Sequence, residues 1–407
     1  MDPTAVPSSA TLLAFTAAGV GLGTLSGLVP GLHANNFAIL LVAVASGVPG
    51  PPAAVACAVL AAGITHTFLD VVPALALGVP DAAMAAGCLP GHRLVLGGRG
   101  REALRLSALG SGGALVVALP VAVPLTALVS RRQSELYALL PVVLVVVFAL
   151  LVVAERHPRN VVAAAVLVCL SGLLGVVTLD GPITYEGLLS VGGVLTPLFA
   201  GLFGVPVLVD AARGGGVPPQ DDATIASSPW AVARSALAGV AGGGMVGYVP
   251  GVSAGVAATL SLPLTGGDDP DRAYLVATSG ANTATAVFAL FSLVALDAPR
   301  TGVTVALGEI GTPPLPTLLS VAVVAGVVAA ALVPVLGDRY LRLVGRVDPR
   351  TTSLVACGLL GVLSLLMAGL AGLCVLVVAG LVGLLPVRLG VRRVHLMAVL
   401  AVPLVVG

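Results

Sequence analysis

Charged residues are scarce in this chain of 407 residues, and lysine is absent altogether. Charged side chains make up 9% of the sequence, against about 25% in an ordinary soluble domain. Hydrophobic residues make up 58%, which is more apolar surface than a soluble core can bury. The composition therefore predicts a multi-pass protein of the cell membrane, in contact with the lipid bilayer. It excludes a disordered chain and a cytosolic enzyme, and the net charge of +1 provides no attraction for nucleic acids.

Catalytic and metal-binding patterns are also missing. The five cysteines show no C-x-x-C spacing, the five histidines show no H-x-x-x-H spacing, and no Walker motif occurs. A G-x-S-x-G match at 251–255 lies in a glycine-rich apolar run, outside the strand-to-helix turn that a nucleophile elbow requires. We therefore predict that the chain is not an enzyme. No metal and no cofactor are expected, apart from Na⁺ or H⁺ as a coupling ion.

Long stretches without charge mark the membrane segments. Residues 3–69 and 351–387 contain no Asp, Glu, Lys or Arg, and a membrane span needs about 20 apolar residues. The chain predicts an all-α polytopic membrane protein with about 11–13 membrane segments, including broken or re-entrant half-helices. Arginine clusters at 93–105 and 338–350 are expected on the cytoplasmic side.

A glycine-rich element occurs twice, 220 residues apart. Residues 19–38 read GVGLGTLSGLVPGLHANNFA and residues 239–258 read GVAGGGMVGYVPGVSAGVAA, so that four glycines coincide, the last of them in a shared Pro-Gly pair. We therefore expect two related membrane repeats, at 11–209 and 230–407, with a polar connector at 210–229. The number of spans between the two copies is ambiguous in the sequence, so inverted and parallel repeats both stay open.

Each copy combines a packing face with a helix break. Glycines four apart lie on one helix face and let another backbone approach closely. The pairs Pro30-Gly31 and Pro250-Gly251 should then end the helix, because Pro removes an amide donor and Gly tolerates irregular backbone. The half-helix that follows presents N–H groups and a positive dipole end, which suit an anion. Broken helices in corresponding halves are typical of a transporter's substrate site, where Pro30, Gly31, Pro250 and Gly251 would lie.

The other predicted substrate ligands are polar side chains. Four follow the breaks, His33, Asn35, Asn36 and Ser253, and two lie in the next apolar segment of the second copy, Asn282 and Thr283. His66 and Asp70 share a helix face and are the predicted pair for proton or Na⁺ coupling, since ionisable residues inside a membrane are costly and often functional. Simpler interpretations stay open. The glycines can serve packing alone, the polar residues after Pro30-Gly31 can cap a helix, and the His–Asp pair can be structural.

At the repeated G-x-x-x-G-x-x-P-G element the chain resembles the TctA family, the large membrane subunit of tripartite tricarboxylate transporters. Residues 65–100 resemble the uncharacterised archaeal branch of that family, through Pro80-Asp81 and Pro90-Gly91-His92-Arg93. The resemblance covers residues 15–400 and implies ion-coupled secondary transport of a small organic anion, a carboxylate. It also implies two partners, a small membrane subunit and an extracytoplasmic binding protein, and it implies that both Pro-Gly elements line the substrate site.

One departure from the family pattern keeps other substrates open. His33, Asn35 and Asn36 stand where bacterial members typically carry small residues, so an anion other than citrate is credible. The leading alternative is a polyprenyl-phosphate translocase, because such lipid-phosphate translocases have similar glycine-proline repeats. A membrane enzyme acting on a lipid-linked substrate is the second alternative, and a structural assembly factor is the third.

Overall fold

The computed structural model describes residues 7–30, 32, 34–45, 47–78, 88–188, 193–212, 217–222, 224–265 and 269–407. Within these ranges the chain forms helices and turns, and no strand. Eight helical segments there are long and apolar enough to cross a membrane, and two shorter apolar segments, Leu195–Ala211 and Arg393–Val406, accompany them. The predicted all-α polytopic membrane fold is therefore confirmed.

The first ten helices are α1 Ser9–Gly27, α2 Ala34–Ala45, α3 Pro52–Leu69, α4 Val71–Leu77, α5 Cys88–Leu96, α6 Gly100–Arg131, α7 Gln133–Val153, α8 Pro158–Gly175, α9 Leu195–Phe199 and α10 Val205–Ala211. Two π-helical turns, Val176–Asp180 and Ala200–Gly204, extend α8 and join α9 to α10. The later helices are α11 Pro229–Tyr248, α12 Ala254–Thr265, α13 Pro270–Leu296, α14 Gly302–Ile310, α15 Leu315–Val344, α16 Pro349–Gly383, α17 Leu385–Leu389 and α18 Ala398–Val406, with the 3₁₀ turn Arg393–Met397 before α18.

Both copies of the repeated element form a helix, a break and a half-helix. The first break separates α1 from α2 around Pro30, and the second separates α11 from α12 around Pro250. Gly251 has φ +81°, a backbone conformation that a side chain would strain. The bounds of α2 and α12 lie 220 residues apart at both ends. The two sequence copies therefore have the same local structure, while the division at 11–209, 210–229 and 230–407 stays a prediction.

The glycine faces pack α1 against α3 and α11 against α13. A methyl group on Gly23 would lie 2.8 Å from Thr65 Cβ, and one on Gly27 would lie 2.7 Å from Leu69 Cβ. Residue numbers rise together along this contact, so α1 and α3 are parallel. The second copy approaches α13 in the same way, through Gly239, Gly243 and Gly247.

The two copies run in opposite directions. Asn282 of α13 donates from Nδ2 to the carbonyl oxygen of Thr67 in α3 at 3.3 Å, while Leu75 and Leu275 both lie against Gly91. From the first contact to the second, residue numbers increase along α3 and α4 and decrease along α13, so these helices are antiparallel. Inverted repeats of this kind are frequent in membrane carriers, which bind their substrate where the repeats meet.

Ion pairs identify the two ends of the bundle. Arg101 Nε lies 2.7 Å from Asp338 Oδ1, so the two arginine clusters expected in the cytoplasm share one end, named here the Arg-rich face. Asp271, at the start of α13, pairs there with Arg93. Arg300 follows the far end of α13 and therefore lies at the opposite face. The positive-inside rule therefore predicts that the Arg-rich face lies on the cytoplasmic side.

A buried carboxylate joins the turn between α7 and α8 to the turn before α18. Glu155, whose side chain is 7% exposed, accepts hydrogen bonds from His395 Nε2 at 2.8 Å and from Arg392 Nε at 2.9 Å. Burial alone would raise the pKa of Glu155, but these hydrogen bonds outweigh burial and lower the pKa below its ordinary value of 4.5. The carboxylate is therefore ionised at neutral pH.

Candidate functional site

A cavity of about 260 Å³, named here the central cavity, lies where the two copies meet. Its wall contains the second break, with Pro250 and Gly251, and the facing side of α13, with Asn282. Ala34 and Ala254, the first residues of the two half-helices, lie in the same wall. Both half-helices therefore begin at one shared space.

Four of the predicted substrate ligands line this cavity: Pro250, Gly251, Ser253 and Asn282. Ser253 also caps α12, since its Oγ accepts a hydrogen bond from the backbone N–H of Val256 at 3.3 Å. Pro30 and Thr283 do not contribute to the wall. The hydroxyl of Thr283 is buried and has no hydrogen-bond partner in the part of the chain that the structure describes. Gly31 and His33 lie outside the described residues, as do the side chains of Asn35 and Asn36.

His66 and Asp70 are buried next to the cavity. His66 is fully buried, and its Nδ1 lies 2.9 Å from Ser26 Oγ. Asp70, at the joint between α3 and α4, accepts a hydrogen bond from Asn282 Nδ2 at 3.1 Å. Asn282 therefore contacts both the cavity and the predicted coupling pair. Ser26 was not predicted, because only the packing of α1 on α3 brings it to the imidazole.

Arg300 is the cationic side chain of the described cavity wall, and sequence reasoning missed it. Its guanidinium lies over the ring of Tyr137, 5.3 Å from the centroid, and donates to the Tyr137 hydroxyl. Its buried Nε has no hydrogen-bond partner among the described residues, and no described carboxylate lies within ion-pair distance. The one signal in the sequence is its place in a short polar turn between two apolar runs.

A third helix N-terminus reaches the same cavity. Thr301 caps α14: its Oγ1 accepts from the N–H of Thr304 at 3.2 Å, and its own N–H donates to Thr304 Oγ1 at 2.9 Å. Both threonines line the cavity. Helix N-termini carry partial positive charge, and the described wall contains no Asp or Glu. The field inside the cavity therefore favours an anion.

Comparison with known proteins identifies the family. The model of the tripartite tricarboxylate transporter TctA family matches residues 13–398. This chain belongs to the TctA family. An uncharacterised protein of Methanocaldococcus jannaschii is 25% identical over 287 residues, which cover 70% of this chain and 69% of that protein. This similarity agrees with the archaeal branch, and no solved structure matches the chain.

Membership of the TctA family identifies the chain as a multi-pass membrane component of a tricarboxylate-type transporter. Proteins of this family are the large subunits of tripartite transporters, which also contain a small membrane subunit and a periplasmic binding protein. A transporter family agrees with the prediction that the chain is not an enzyme. The family match favours neither the polyprenyl-phosphate translocase nor the membrane enzyme.

Proposed function

We propose that this TctA protein carries a small carboxylate anion through the central cavity, coupled to H⁺ or Na⁺. The observation that supports this most is the convergence of three helix N-termini and Arg300 on one space whose described wall has no acidic residue. Helix N-termini and guanidinium groups are the usual protein partners of carboxylates. His33, Asn35 and Asn36, which follow the first Pro-Gly pair in the sequence, are proposed as further ligands.

The volume of the cavity favours a small anion over a lipid. About 260 Å³ is slightly below the ordinary range of small-molecule pockets, roughly 300–1,000 Å³. A molecule with a few carboxylates fits this space, whereas a polyprenyl chain does not. The cavity is also walled by Leu60, Val303 and Leu400, so that the charged groups of the anion would contact Arg300, the helix ends and the polar side chains of the rest of the wall.

Asp70 is the proposed site of ion coupling. Its hydrogen bond to Asn282 connects it to the cavity wall, and an ionisable group inside the membrane is costly and therefore often marks a functional site. His66, on the same helix face, is the proposed second member of the pair. Binding of a cation at Asp70 would reorient Asn282, so that the affinity for the anion would depend on the ion.

The proposed partners would act at the end of the bundle opposite the Arg-rich face. Arg300 lies at that end, which the distribution of arginine assigns to the outside. An extracytoplasmic binding protein would therefore deliver its carboxylate at the mouth of the central cavity. A small membrane subunit is the second proposed partner.

The first experiment measures the thermal stabilisation of the purified protein by anions. Ligand that binds the folded state raises the melting temperature by mass action. A panel of mono-, di- and tricarboxylates, inorganic phosphate and a polyprenyl phosphate is tested at two pH values, with and without Na⁺. A carboxylate that stabilises the protein supports the proposal, and stabilisation by polyprenyl phosphate alone would contradict it.

The variant Arg300→Gln tests the site itself. Losing a charge-assisted hydrogen bond costs about 1.5–3 kcal/mol, so we expect the affinity for the carboxylate to fall at least about tenfold. Arg131→Gln is the matched control, because Arg131 is exposed and absent from the cavity wall. Equal affinities in the two variants would remove Arg300 from the site.

Asp70→Asn and His66→Ala test the coupling. Each variant should keep a normal yield of folded protein but lose uptake of the stabilising carboxylate into vesicles, and Asp70→Asn should also abolish the effect of Na⁺ or pH on its binding. Asp180→Asn, at the end of the turn that follows α8, is the control. Normal ion-dependent uptake by both variants would exclude the pair from the mechanism.

A further inference from the structure

A second cavity, of about 250 Å³, opens near the Arg-rich face and is named here the inner cavity. Its wall is formed by the end of α4, by α5, by α10 and by the start of α16. Most of the lining is apolar, but His92, Asp210 and Arg393 contribute polar groups. None of these residues takes part in the central cavity.

The two cavities lie in series along three stretches of chain. Each stretch touches the central cavity with one residue and the inner cavity with another, farther toward the Arg-rich face: Thr67 then Ala76, Phe199 then Val207, and Met397 then Arg393. Nine residues of helix separate the first pair and eight the second, which corresponds to about 12–14 Å at 1.5 Å per residue. A continuous route therefore needs only a local opening between the cavities.

The barrier between the cavities consists of buried side chains. Phe203, one turn after Phe199, is 1% exposed, and the two rings stack with centroids 6.1 Å apart. Asp70, between Thr67 and Ala76 in sequence, is 4% exposed. The proposed coupling residue thus lies at the level of the barrier, where its ionic state would affect passage.

Arg393 gives the inner cavity its positive charge. It is 4% exposed, and its guanidinium reaches Asp210 Oδ2 at 3.1 Å, while the side chain of Asp210 is 44% exposed. Burial of a guanidinium is costly without an anionic partner. An exposed aspartate can turn into water and leave its place to another carboxylate, because both groups offer the same acceptor oxygens. Burial lowers the pKa of His92 and outweighs the opposite effect of the hydrogen bond from its Nδ1 to the carbonyl oxygen of Leu75 at 2.7 Å, so the imidazole is neutral at pH 7.

We infer that the inner cavity is a second binding site for the transported carboxylate, in which the anion replaces Asp210 on Arg393 before it leaves toward the cytoplasm. This inference rests on the proposed function, because it assigns the cavity to the same route. The site takes a carboxylate and has no need of a metal or cofactor. When the site is empty, the carboxylate of Asp210 occupies the place next to Arg393 that the bound carboxylate would take.

The charge of the inner cavity is tested by chemical labelling in inside-out membrane vesicles. Ser353 lines the cavity, whereas Thr351 is exposed on the same helix and does not. The variants Ser353→Cys and Thr351→Cys are treated with an anionic sulfonatoethyl or a cationic trimethylammonioethyl methanethiosulfonate. Mass spectrometry of the labelled peptide then gives the two rates at each position, separately from the native cysteines.

We expect the anionic reagent to be favoured at position 353 and not at position 351. Adding Arg393→Gln should lower the ratio of the two rates by about tenfold, because one unit charge at an assumed separation of about 6 Å in a water-like dielectric would change each rate about threefold, in opposite directions for the two reagents. Adding Asp210→Asn should raise the same ratio. Opposite shifts in the ratio are expected only if the charge of Arg393 sets the electrostatic potential in the inner cavity. If the ion pair is purely structural, either variant would disrupt it and change the ratio in the same direction. Equal or absent shifts would overturn the inference.

The place of the cavity on the route is tested by uptake. The modified variants are incorporated into the membrane of vesicles, and the uptake of labelled citrate, or of the carboxylate that stabilised the protein, is measured. Modification at position 353 should block uptake, while modification at position 351 should leave it intact. Normal uptake with position 353 fully modified would overturn the inference. Absence of uptake in the unmodified protein would instead contradict the proposed function, and the labelling ratio would still decide whether the inner cavity binds anions.

Discussion

Glu102 is a fully buried carboxylate that holds three parts of the chain together at the Arg-rich face. It lies in the first turn of α6 and accepts hydrogen bonds from Arg272 Nε of α13 at 2.8 Å and from Arg99 Nε at 2.5 Å. Glu102 also accepts a hydrogen bond from the backbone N–H of Ala226, in the segment before α11, at 2.8 Å. One side chain therefore links α6, α13 and the segment that leads into the second copy.

We expect Glu102→Gln to lower the free energy of unfolding by about 3 kcal/mol. Removing one partner of a buried ion pair costs about 3–5 kcal/mol, and the lower value applies because Asp269 still contacts Arg272. Glu135→Gln is the matched control. Glu135 makes the same kind of contact, with Arg132 at 2.8 Å, but its side chain is 58% exposed, and exposed pairs contribute only about 0–1 kcal/mol.

The assay is thermal unfolding of the purified variants in one detergent, followed by intrinsic or dye fluorescence. At about 2 °C per kcal/mol for a large domain, the melting temperature should fall by about 6 °C for Glu102→Gln and by less than about 2 °C for Glu135→Gln. Equal shifts would refute the reasoning, because burial is the main difference between the two ion pairs. A wild-type melting temperature for Glu102→Gln would show that the amide satisfies Arg272 as well as the carboxylate does.

Two further changes test packing and pH dependence. Because the pKa of Glu155 in the folded protein lies below the ordinary 4.5, its stabilisation is complete above pH 4.5 and is lost as the pH falls below that value. Glu155→Gln should therefore melt earlier at pH 7 and lose less stability between pH 5 and 3, which melting curves across that range will show. Gly243→Ala should cost about 1–3 kcal/mol, since its methyl group would lie 2.5 Å from Ala284 Cβ. Gly21→Ala, where nothing lies within 4 Å, should be neutral or gain up to about 1 kcal/mol in the same melting assay, and similar losses in the two alanine variants would contradict the packing role.

The helix breaks could be predicted from the sequence because their cause is local. A proline removes one amide donor, and a glycine such as Gly251 accepts a positive φ, whatever surrounds it. The glycine faces were predictable for the same reason, since residues four apart always share a helix face. These two features were sufficient to place the half-helices and to predict Pro250 and Ser253 as site residues, while Asn282 was predicted as the counterpart of the His66–Asp70 segment in the second copy.

Arg300 and Ser26 could not be predicted, because their roles depend on contacts between distant parts of the chain. Arg300 reaches the cavity only because the turn before α14 closes over the second break. Ser26 meets His66 across the parallel contact of α1 with α3. A single arginine in a polar turn and a single serine in a glycine-rich helix have no distinguishing pattern of their own.

The relative direction of the two copies could not be predicted for a different reason. It depends on whether the number of membrane crossings between them is odd or even, and that number was ambiguous in the sequence. Because α1 and α3 are parallel, opposite directions of the two copies require an odd number of crossings from the start of α3 to the start of α11. The described ranges contain five in that interval: Pro52–Leu77, Gly100–Arg131, Gln133–Val153, Pro158–Asp180 and Leu195–Ala211. The last is too short for an ordinary span, yet Phe199 touches the central cavity and Asp210 pairs with Arg393 at the inner one. Counting only helices of at least 18 residues would omit this segment and make the copies parallel. The same short segment contacts both cavities, so the segment that decides the inverted arrangement also contributes to the proposed barrier.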